Sequence, residues 1–348
     1  MLEKQNLLGL TQVKLKKFFS DLNEKPFRTK QIMQWIFHQG ASDFGDMHNL
    51  SKDLRQKLQA IASIELPEVT SIDNSKDGVI KWVIKLGEEN HIETVYIPQK
   101  DRGTLCISSQ VGCSLACTFC ATGYQGFNRN LENHEIIAQV LIAQNHLKDK
   151  GRRISNVVFM GMGEPLLNES AVYDACDILL DDWAFGLSRR RVTVSSSGIV
   201  PALMRMSDTV PVSLAISLHA PNDELRDVLV PINKKYPIKA DFKGLSLSTS
   251  LNNHVSVVFE GDEIVAVGPT DTIQEVSKTI DGSGKFVIPG LWDMHVHLTA
   301  SNLFDSSILP LLLSYGITSV RDTGGMLEDL LPLIEESKKG KYPGQREI

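Results

Sequence analysis

No run of about 18 consecutive apolar residues occurs in these 348 residues, so no segment reads as a membrane-spanning helix. The opening Met1-Leu2-Glu3-Lys4-Gln5-Asn6 lacks the basic and then apolar pattern of a secretory signal. Cysteine is scarce: five in all, an odd number, with three of them in one short stretch and none after Cys176. That usage argues against a secreted disulfide scaffold and suits a reducing, cytoplasmic setting with no membrane partner. No internal repeat links the two ends of the chain. What remains is ordinary for a soluble globular protein, 42% hydrophobic and 22% charged, with length for about two domains.

No charge of one sign dominates the whole chain, but its parts differ. Residues 1–240 hold 28 Lys+Arg against 27 Asp+Glu, whereas residues 241–348 hold 8 against 15. The first sixty residues, with 10 basic and 6 acidic side chains, suit either a polyanion partner or a solvated helical surface.

Hydrophobic spacing predicts helices over Gln12–Leu22 with Thr11 as N-cap, Arg28–His38, and Leu50–Ala62 with Ser51 as N-cap. Alternation at Val79–Leu86 and Ile92–Pro98, around a turn at Gly87, predicts a hairpin. Strands are then expected at Thr104–Ser109, Asn156–Met160, Arg191–Ser195 and Val212–Ser217. Helical patterns at Glu132–Leu147, Ser170–Leu180, Val200–Ser207 and Asp223–Leu229 separate them. Such βα repetition implies a parallel sheet or barrel, with its chemistry on the loops after the strands. The pattern stops near Ala240. Beyond a Ser/Leu-rich stretch, short strands are expected at Val255–Phe259, Glu263–Val267, Thr279–Ile280, Phe286–Ile288, Leu291–His297 and Thr318–Asp322, with a helix around Ser306–Tyr315.

The loop after the first βα strand carries Cys113, Cys117 and Cys120, thiols at i, i+4 and i+7. Thiolates bind iron–sulfur clusters, a cubane normally takes four, and three leave one iron open. A zinc site or buried structural thiols are the alternatives, disfavoured by the C-x3-C-x2-C spacing with Phe119 before the last cysteine. The second strand ends in Gly161-Met-Gly163-Glu164-Pro165, where two glycines permit close backbone approach to a ligand and Glu164 offers a carboxylate to an amine. A plain Gly-Pro turn with a solvated Glu is the alternative. Ser195 and Ser217 at later strand ends are suited to binding a ribose or carboxylate, and equally to turn formation. His219 alone reads as a structural hydrogen-bonding residue.

Together these motifs resemble the radical S-adenosylmethionine (SAM) enzymes, and within them the RlmN family of RNA adenine C2-methyltransferases. The carrying stretches are Glu93-Thr-Val-Tyr-Ile-Pro, Cys106-Ile-Ser-Ser-Gln-Val-Gly-Cys, Gly161-Met-Gly-Glu-Pro-Leu-Leu-Asn, Thr193-Val-Ser-Ser-Ser-Gly and Ser217-Leu-His-Ala-Pro-Asn-Asp. Phe27-Arg-Thr-Lys-Gln-Ile and Leu50-Ser-Lys-Asp-Leu-Arg resemble the family's accessory RNA-binding helices. The resemblance implies a [4Fe-4S] cluster on Cys113, Cys117 and Cys120 and S-adenosyl-L-methionine at Gly163, Glu164, Ser195, Ser217, Leu218 and His219. It implies Glu93 as general base and Cys106 as the thiol that resolves a covalent protein–RNA intermediate; Cys176 matches nothing and reads as core. It also implies 23S rRNA and tRNA as substrates and an electron donor such as flavodoxin or ferredoxin. Lys14, Lys16, Lys17, Arg28, Lys30, Lys52 and Arg55 are the candidate phosphate contacts.

The family pattern then breaks. Its barrels have six βα units where four are counted, and its reaction uses a second, methyl-carrying cysteine near the C-terminus. From about residue 254 the sequence instead resembles the start of a metal-dependent amidohydrolase, through Gly284-Lys-Phe-Val-Ile-Pro-Gly-Leu-Trp-Asp-Met-His-Val-His. His295 and His297 alternate on one expected strand and form a weak second metal site. The expected fold is therefore α/β: an incomplete radical SAM (βα) barrel with an N-terminal helical accessory domain, and a C-terminal β unit leading into the start of a second, truncated barrel. The expected divisions are 1–98, 99–240, a seam at 241–253, and 254–348. The expected activity is RlmN-like methylation, impaired by the missing cysteine. A truncated amidohydrolase and a non-catalytic RNA- or cluster-binding remnant are the alternatives.

Overall fold

Thr11 and Ser51 are extended residues whose hydroxyls accept hydrogen bonds from the third amide beyond them, at 3.3 Å from Lys14 N and 3.3 Å from Leu54 N. Each satisfies an otherwise orphaned helix donor, a cap typically worth about 1 kcal/mol. They start α1 (Gln12–Asp21) and α3 (Lys52–Ile61) where the sequence places them. Between these lies α2 (Phe27–Met33), which widens into a π-helical turn over Gln34–Gln39 and ends at left-handed Gly40. A short parallel bridge joins β1 (Gln5–Asn6) to β2 (Ala62–Ser63). Leu15, Phe19, Ile32, Met33, Leu54 and Leu58 turn inward and are almost wholly buried. The computed structural model describes residues 4–100, 102–220, 222–238, 255–260, 263–269, 277–280, 291–296, 312–314, 317–322 and 327–339.

One mixed sheet of seven strands organises the larger unit, Met1–Ser246. Strands β3 (Val69–Asn74), β4 (Ile80–Leu86), β5 (Asn90–Gln99) and β6 (Arg102–Cys106) pair antiparallel in sequence order. A small antiparallel ribbon of β7 (Gln110–Gly112) and β8 (Phe127–Asn130) follows β6. From β6 the sheet continues parallel through β9 (Asn156–Phe159), β10 (Val192–Ser196) and β11 (Ser213–Ile216). The intervening helices are α4 (Ala121–Gln125), α5 (Asn133–Lys148), α6 (Glu169–Leu180) and α7 (Val200–Thr209), with α8 (Asp223–Leu229) after β11. The four βα strands and their helices agree with the periodicity to within two or three residues. The expected division at 98/99 falls inside the β5–β6 hairpin, because the first hairpin extends the βα sheet.

Burial alternates along the strands. Ile92, Thr94, Tyr96, Leu105, Val157, Phe159, Val192 and Val194 are buried on one face. Helix α5 covers that face: Gln139 accepts a hydrogen bond from Thr94 Oγ1 at 2.7 Å, and His146 meets the Trp82 ring edge-on at 5.4 Å. On its other side α5 receives the N-terminal segment, with Asn133 Nδ2 donating to Gly9 O at 2.7 Å and Gln144 Nε2 to Phe37 O at 3.2 Å. The helical region and the sheet therefore share one hydrophobic core.

The smaller unit, Leu247–Ile348, contains two two-stranded sheets among its described residues. Strands β12 (Val255–Glu260) and β13 (Glu263–Pro269) form an antiparallel hairpin with an irregularity at Val258/Phe259. Strands β14 (Leu291–Val296) and β15 (Ile317–Asp322) are parallel, and α9 (Leu327–Lys338), with Pro332 inside it, follows. The expected strand at Thr279–Ile280 is irregular chain, with Ile280 82% exposed. Phe286–Ile288 and His297 lie outside the described residues, as does most of the expected helix around Ser306–Tyr315. Among the described residues no helix is long and apolar enough to cross a membrane.

The contact between the N-terminal segment and α5 can be tested at Gly9, where an added Cβ would lie 2.5 Å from the His134 backbone nitrogen. Gly9→Ala is expected to destabilise the larger unit by about 1–3 kcal/mol, the usual cost of overpacking. Urea unfolding checks this; an unchanged midpoint would show that the two segments do not press together.

Candidate cofactor site at the strand ends

Register places the chemically important side chains on the face opposite the helices. Val95 pairs with Cys106, Cys106 with Val158, Val158 with Thr193, and Ser195 with Ala215. Paired residues point to the same side, and residues two apart along a strand share it. Glu93, Cys106 and Ser195 therefore lie on one open face, all exposed or half-buried. Glu93 forms an ion pair with Lys81 at 3.1 Å, and its carbonyl accepts from Ser108 Oγ at 2.7 Å. Burial pushes the Cys106 thiol up to about 12, opposed by a hydrogen bond from the Met160 backbone. Ser195 Oγ donates to Phe159 O at 2.6 Å, bridging two strand ends.

The cysteine loop leaves β7 at Gly112 and returns at β8. Gly112 has φ +73°, and a Cβ there would collide with the Gly126 carbonyl, so only glycine closes the loop. Cys113 N donates to Gly126 O at 2.9 Å, and Cys120 N to Cys117 O at 3.1 Å, around a left-handed Ala116. Burial raises the Cys113 thiol, and the nearby Glu164 and Cys120 charges add to the shift. Cys117 is pushed up to about 11 by burial first, then by Cys113, Cys120 and Glu164. Among the described residues no three His, Cys, Asp or Glu side chains are already drawn together as a finished metal-binding group. The donor chemistry nonetheless fits an iron–sulfur cluster: three thiols in one loop repel one another when ionised, and a bound cationic centre relieves that repulsion.

Glu164 is 3% exposed, and burial raises its carboxyl, opposed chiefly by the Ser197 amide. Its oxygens accept from Leu166 N at 3.2 Å and Ser197 N at 2.8 Å, which ties the end of β9 to the end of β10. The glycines flanking Met162 serve packing as well as access. A Cβ on Gly161 would lie 2.7 Å from Ser108 Oγ, and one on left-handed Gly163 2.9 Å from Gln110 N. Both thus let the loop approach the chain just after β6. Gln110 was not anticipated as a site residue: its Oε1 accepts from Glu164 N at 2.8 Å and its Nε2 donates to Asn130 at 2.7 Å. Its place between Cys106 and Cys113 is the only sequence signal for it.

At the end of β11, Ser217 N donates to Ser196 O at 2.9 Å, and Leu218 follows half-buried. His219 takes a left-handed φ of +57°, and its ring lies 4.5 Å from that of Phe119, beside Cys120. Thr118 N donates to Leu229 O at 3.0 Å, so the end of α8 also supports the cysteine loop. Cys176 is fully buried on α6, as expected of core. Of the cationic candidates, Lys14 pairs with Asp174, Lys17 with Asp21 at 2.7 Å, and Arg28 with Glu24 at 3.6 Å. Arg55 donates to Gly45 O at 2.6 Å, and Lys30 lies over the Trp183 ring at 4.7 Å. Lys16 Nζ donates to Gln12 at 2.9 Å, and Lys52 is exposed. His295 lies on β14, apart from the loop in sequence, and its expected partner His297 is outside the described residues.

Residues 5–64 match the family model for the "Ribosomal RNA large subunit methyltransferase N-terminal domain", and residues 107–281 match the radical SAM superfamily. The chain is 66% identical over 238 residues to a "Dual-specificity RNA methyltransferase RlmN" of Vesicomyosocius okutanii, covering 68% of this chain and 67% of that protein. It is 56% identical over 280 residues to a protein of the same name from Ruthia magnifica, covering 80% and 78%. A crystal structure of a radical SAM methyltransferase from Sphaerobacter thermophilus superposes with a TM-score of 0.65 at 38% identity, covering 69% of this chain and 71% of that one. The amidohydrolase-like reading from residue 254 finds no support in these matches, the superfamily match itself running through residue 281. With its thiol loop, its mixed α/β sheet and these relatives, the chain belongs to the RlmN family of radical SAM methyltransferases.

Proposed function

We propose that this chain binds a [4Fe-4S] cluster at Cys113, Cys117 and Cys120 and S-adenosyl-L-methionine at the adjoining strand ends, and acts on C2 of adenine in 23S rRNA and tRNA. The observation that carries the reading is the meeting of the thiol loop with the strand-end network at His219, at the ends of a sheet whose open face carries Glu93 and Cys106. When bound, the cluster and S-adenosylmethionine supply the radical and methyl-transfer chemistry. Gly163, Glu164, Ser195, Ser217, Leu218 and His219 border the cofactor. Glu93 is a carboxylate placed on the open face to take a proton from the base, and Cys106 is a thiol on that same face. An adenine would have to be unstacked or in a loop to present C2 to that face. Lys16 and Lys52, exposed on α1 and α3, are the cations best placed for phosphates. The electron donor would be a flavodoxin or ferredoxin and the setting the cytoplasm.

The proposed divisions follow function rather than the continuous sheet: a helical accessory region with its hairpin at 1–98, an incomplete βα barrel at 99–240, a seam at 241–253 and a separate C-terminal part. No cysteine follows Cys176 in the sequence. Its methyl transfer to adenine C2 is accordingly proposed to be impaired relative to its cleavage of S-adenosylmethionine. No activity is assigned to the C-terminal part.

Anaerobic reconstitution tests the central claim. The wild-type chain is expected to take up iron and sulfide and to release 5′-deoxyadenosine under reduction, and Cys113→Ala, Cys117→Ala and Cys120→Ala to lose both. Cluster-dependent cleavage surviving all three changes would sink the assignment. Gly112→Ala should also abolish iron uptake, since its Cβ meets the Gly126 carbonyl; normal uptake would show that the loop closes some other way. For Cys106, a thiol pushed up to about 12 stays protonated at pH 8. Its alkylation by iodoacetamide should then be at least roughly tenfold slower than that of a free peptide thiol, accelerating well above pH 9. Mass spectrometry of the Cys106 peptide reads this, and a rate that levels off near pH 9 would contradict it.

A further inference from the structure

Arg226 is 0% exposed, a fully buried guanidinium on α8 that none of the proposed roles uses. Its Nε donates to Leu218 O at 3.0 Å, and its Nη2 to Ser197 O at 2.8 Å and Ser217 O at 3.2 Å. Its Nη1 donates to Asn233 Oδ1 at 2.6 Å. One planar fork thus holds carbonyls from the ends of both β10 and β11. Asn233 is itself buried and fixed, donating to Asp227 Oδ1 at 2.7 Å and Asp223 Oδ1 at 3.0 Å.

The held carbonyls are not arbitrary. Ser197 is the residue whose amide binds Glu164, so Arg226 and Glu164 grip the same peptide segment from opposite sides. Leu218 directly precedes His219, whose left-handed backbone is costly for a non-glycine residue and needs external support. Ala220 N and Arg226 Nε both donate to the Leu218 carbonyl, fixing that turn. The turn in turn sets the His219 ring against Phe119 of the cysteine loop. The same helix supports that loop directly, Thr118 Oγ1 donating to Val228 O at 3.3 Å.

We infer that Arg226 is a positioning residue that fixes the Ser217–His219 strand end relative to the thiol loop and thereby sets affinity for S-adenosylmethionine. This rests on the proposed cofactor site. Arginine is required because its donors lie in a rigid plane and reach several carbonyls together, whereas lysine offers a single point of charge.

Arg226→Lys, Arg226→Gln and Asn233→Ala, reconstituted anaerobically beside the wild-type chain, test it. Iron content, the unfolding midpoint and the dissociation constant for S-adenosylmethionine are measured on each. Arg226→Lys is expected to keep its iron and to bind the cofactor about 10- to 100-fold more weakly, the range seen when an outer-shell partner that orients metal ligands is lost. The KM for S-adenosylmethionine in the cleavage reaction should rise by the same factor, with kcat changed less. Asn233→Ala should weaken binding in the same direction. A folded Arg226→Lys chain with wild-type affinity overturns the inference, even if its midpoint falls, because that is what a purely structural arginine would show. If neither Arg226 variant folds, unchanged affinity in Asn233→Ala overturns it. A wild-type chain that holds its cluster but binds no S-adenosylmethionine would instead sink the cofactor site itself, and this inference with it.

Discussion

Sheet register is the constraint on which the site depends. Side chains alternate along a strand, so a one-residue slip of β6 or β9 would carry Cys106 or Val158 to the helix-covered side. The devices that hold the register lie mostly away from the open face. Gln139 of α5 accepts from Thr94 and Ser108 N and donates to Ser108 O at 2.9 Å, locking β5 against the chain after β6. Ser155 Oγ accepts from Gly103 N at 3.0 Å at the start of β9. These bonds are buried, where an unmet partner is expensive, so they specify pairing more sharply than the exposed face could. The covered face thereby determines what the open face presents.

The strand-end loops show the cost of bringing so much polar chain together. Gly112, Gly163 and His219 are all left-handed, and Ala116 joins them. Glu164 is a buried carboxyl group whose desolvation is only partly offset by backbone amides. Such features are tolerated where surrounding bonds over-determine them, and they cluster at functional sites. Here the over-determination is visible: Ser197 is held by Glu164 through its amide and by Arg226 through its carbonyl. The loops are consequently stiff in the places where the cofactor contacts are proposed.

Much of this was legible in the sequence, and the exceptions have physical reasons. Helices α6 and α7 and strands β6, β9 and β10 follow directly from apolar spacing, because each has one buried face. Strand β3 carries no such signal: Ser71, Ile72, Asp73 and Asn74 are largely exposed at the sheet edge. The β7–β8 ribbon is too short for periodicity and exists because Gly112 permits the close approach of Gly126. The thiol loop was legible as chemistry, since few other purposes bring three cysteines to that spacing. The meaning of Gly161 and Gly163 was only half legible, because sequence cannot say whether the close neighbour is a ligand or the chain's own backbone. Most of the basic side chains of α1 to α3 proved to be engaged locally, which charge counting cannot anticipate.

The strands differ in how fully they are covered toward β11. Strands β9 and β10 alternate between buried and half-buried residues, as expected where helices cover one face. All four residues of β11 are half-buried, so neither of its faces is fully covered, and among the described residues the sheet ends there. Among the described residues, the sheet contacts at these strand ends come from β6 to β11. Binding there depends on how rigidly those contacts are held, since ordering loose groups on binding subtracts from affinity. The buried Arg226, the caged Glu164 and the glycine-closed thiol loop supply that rigidity.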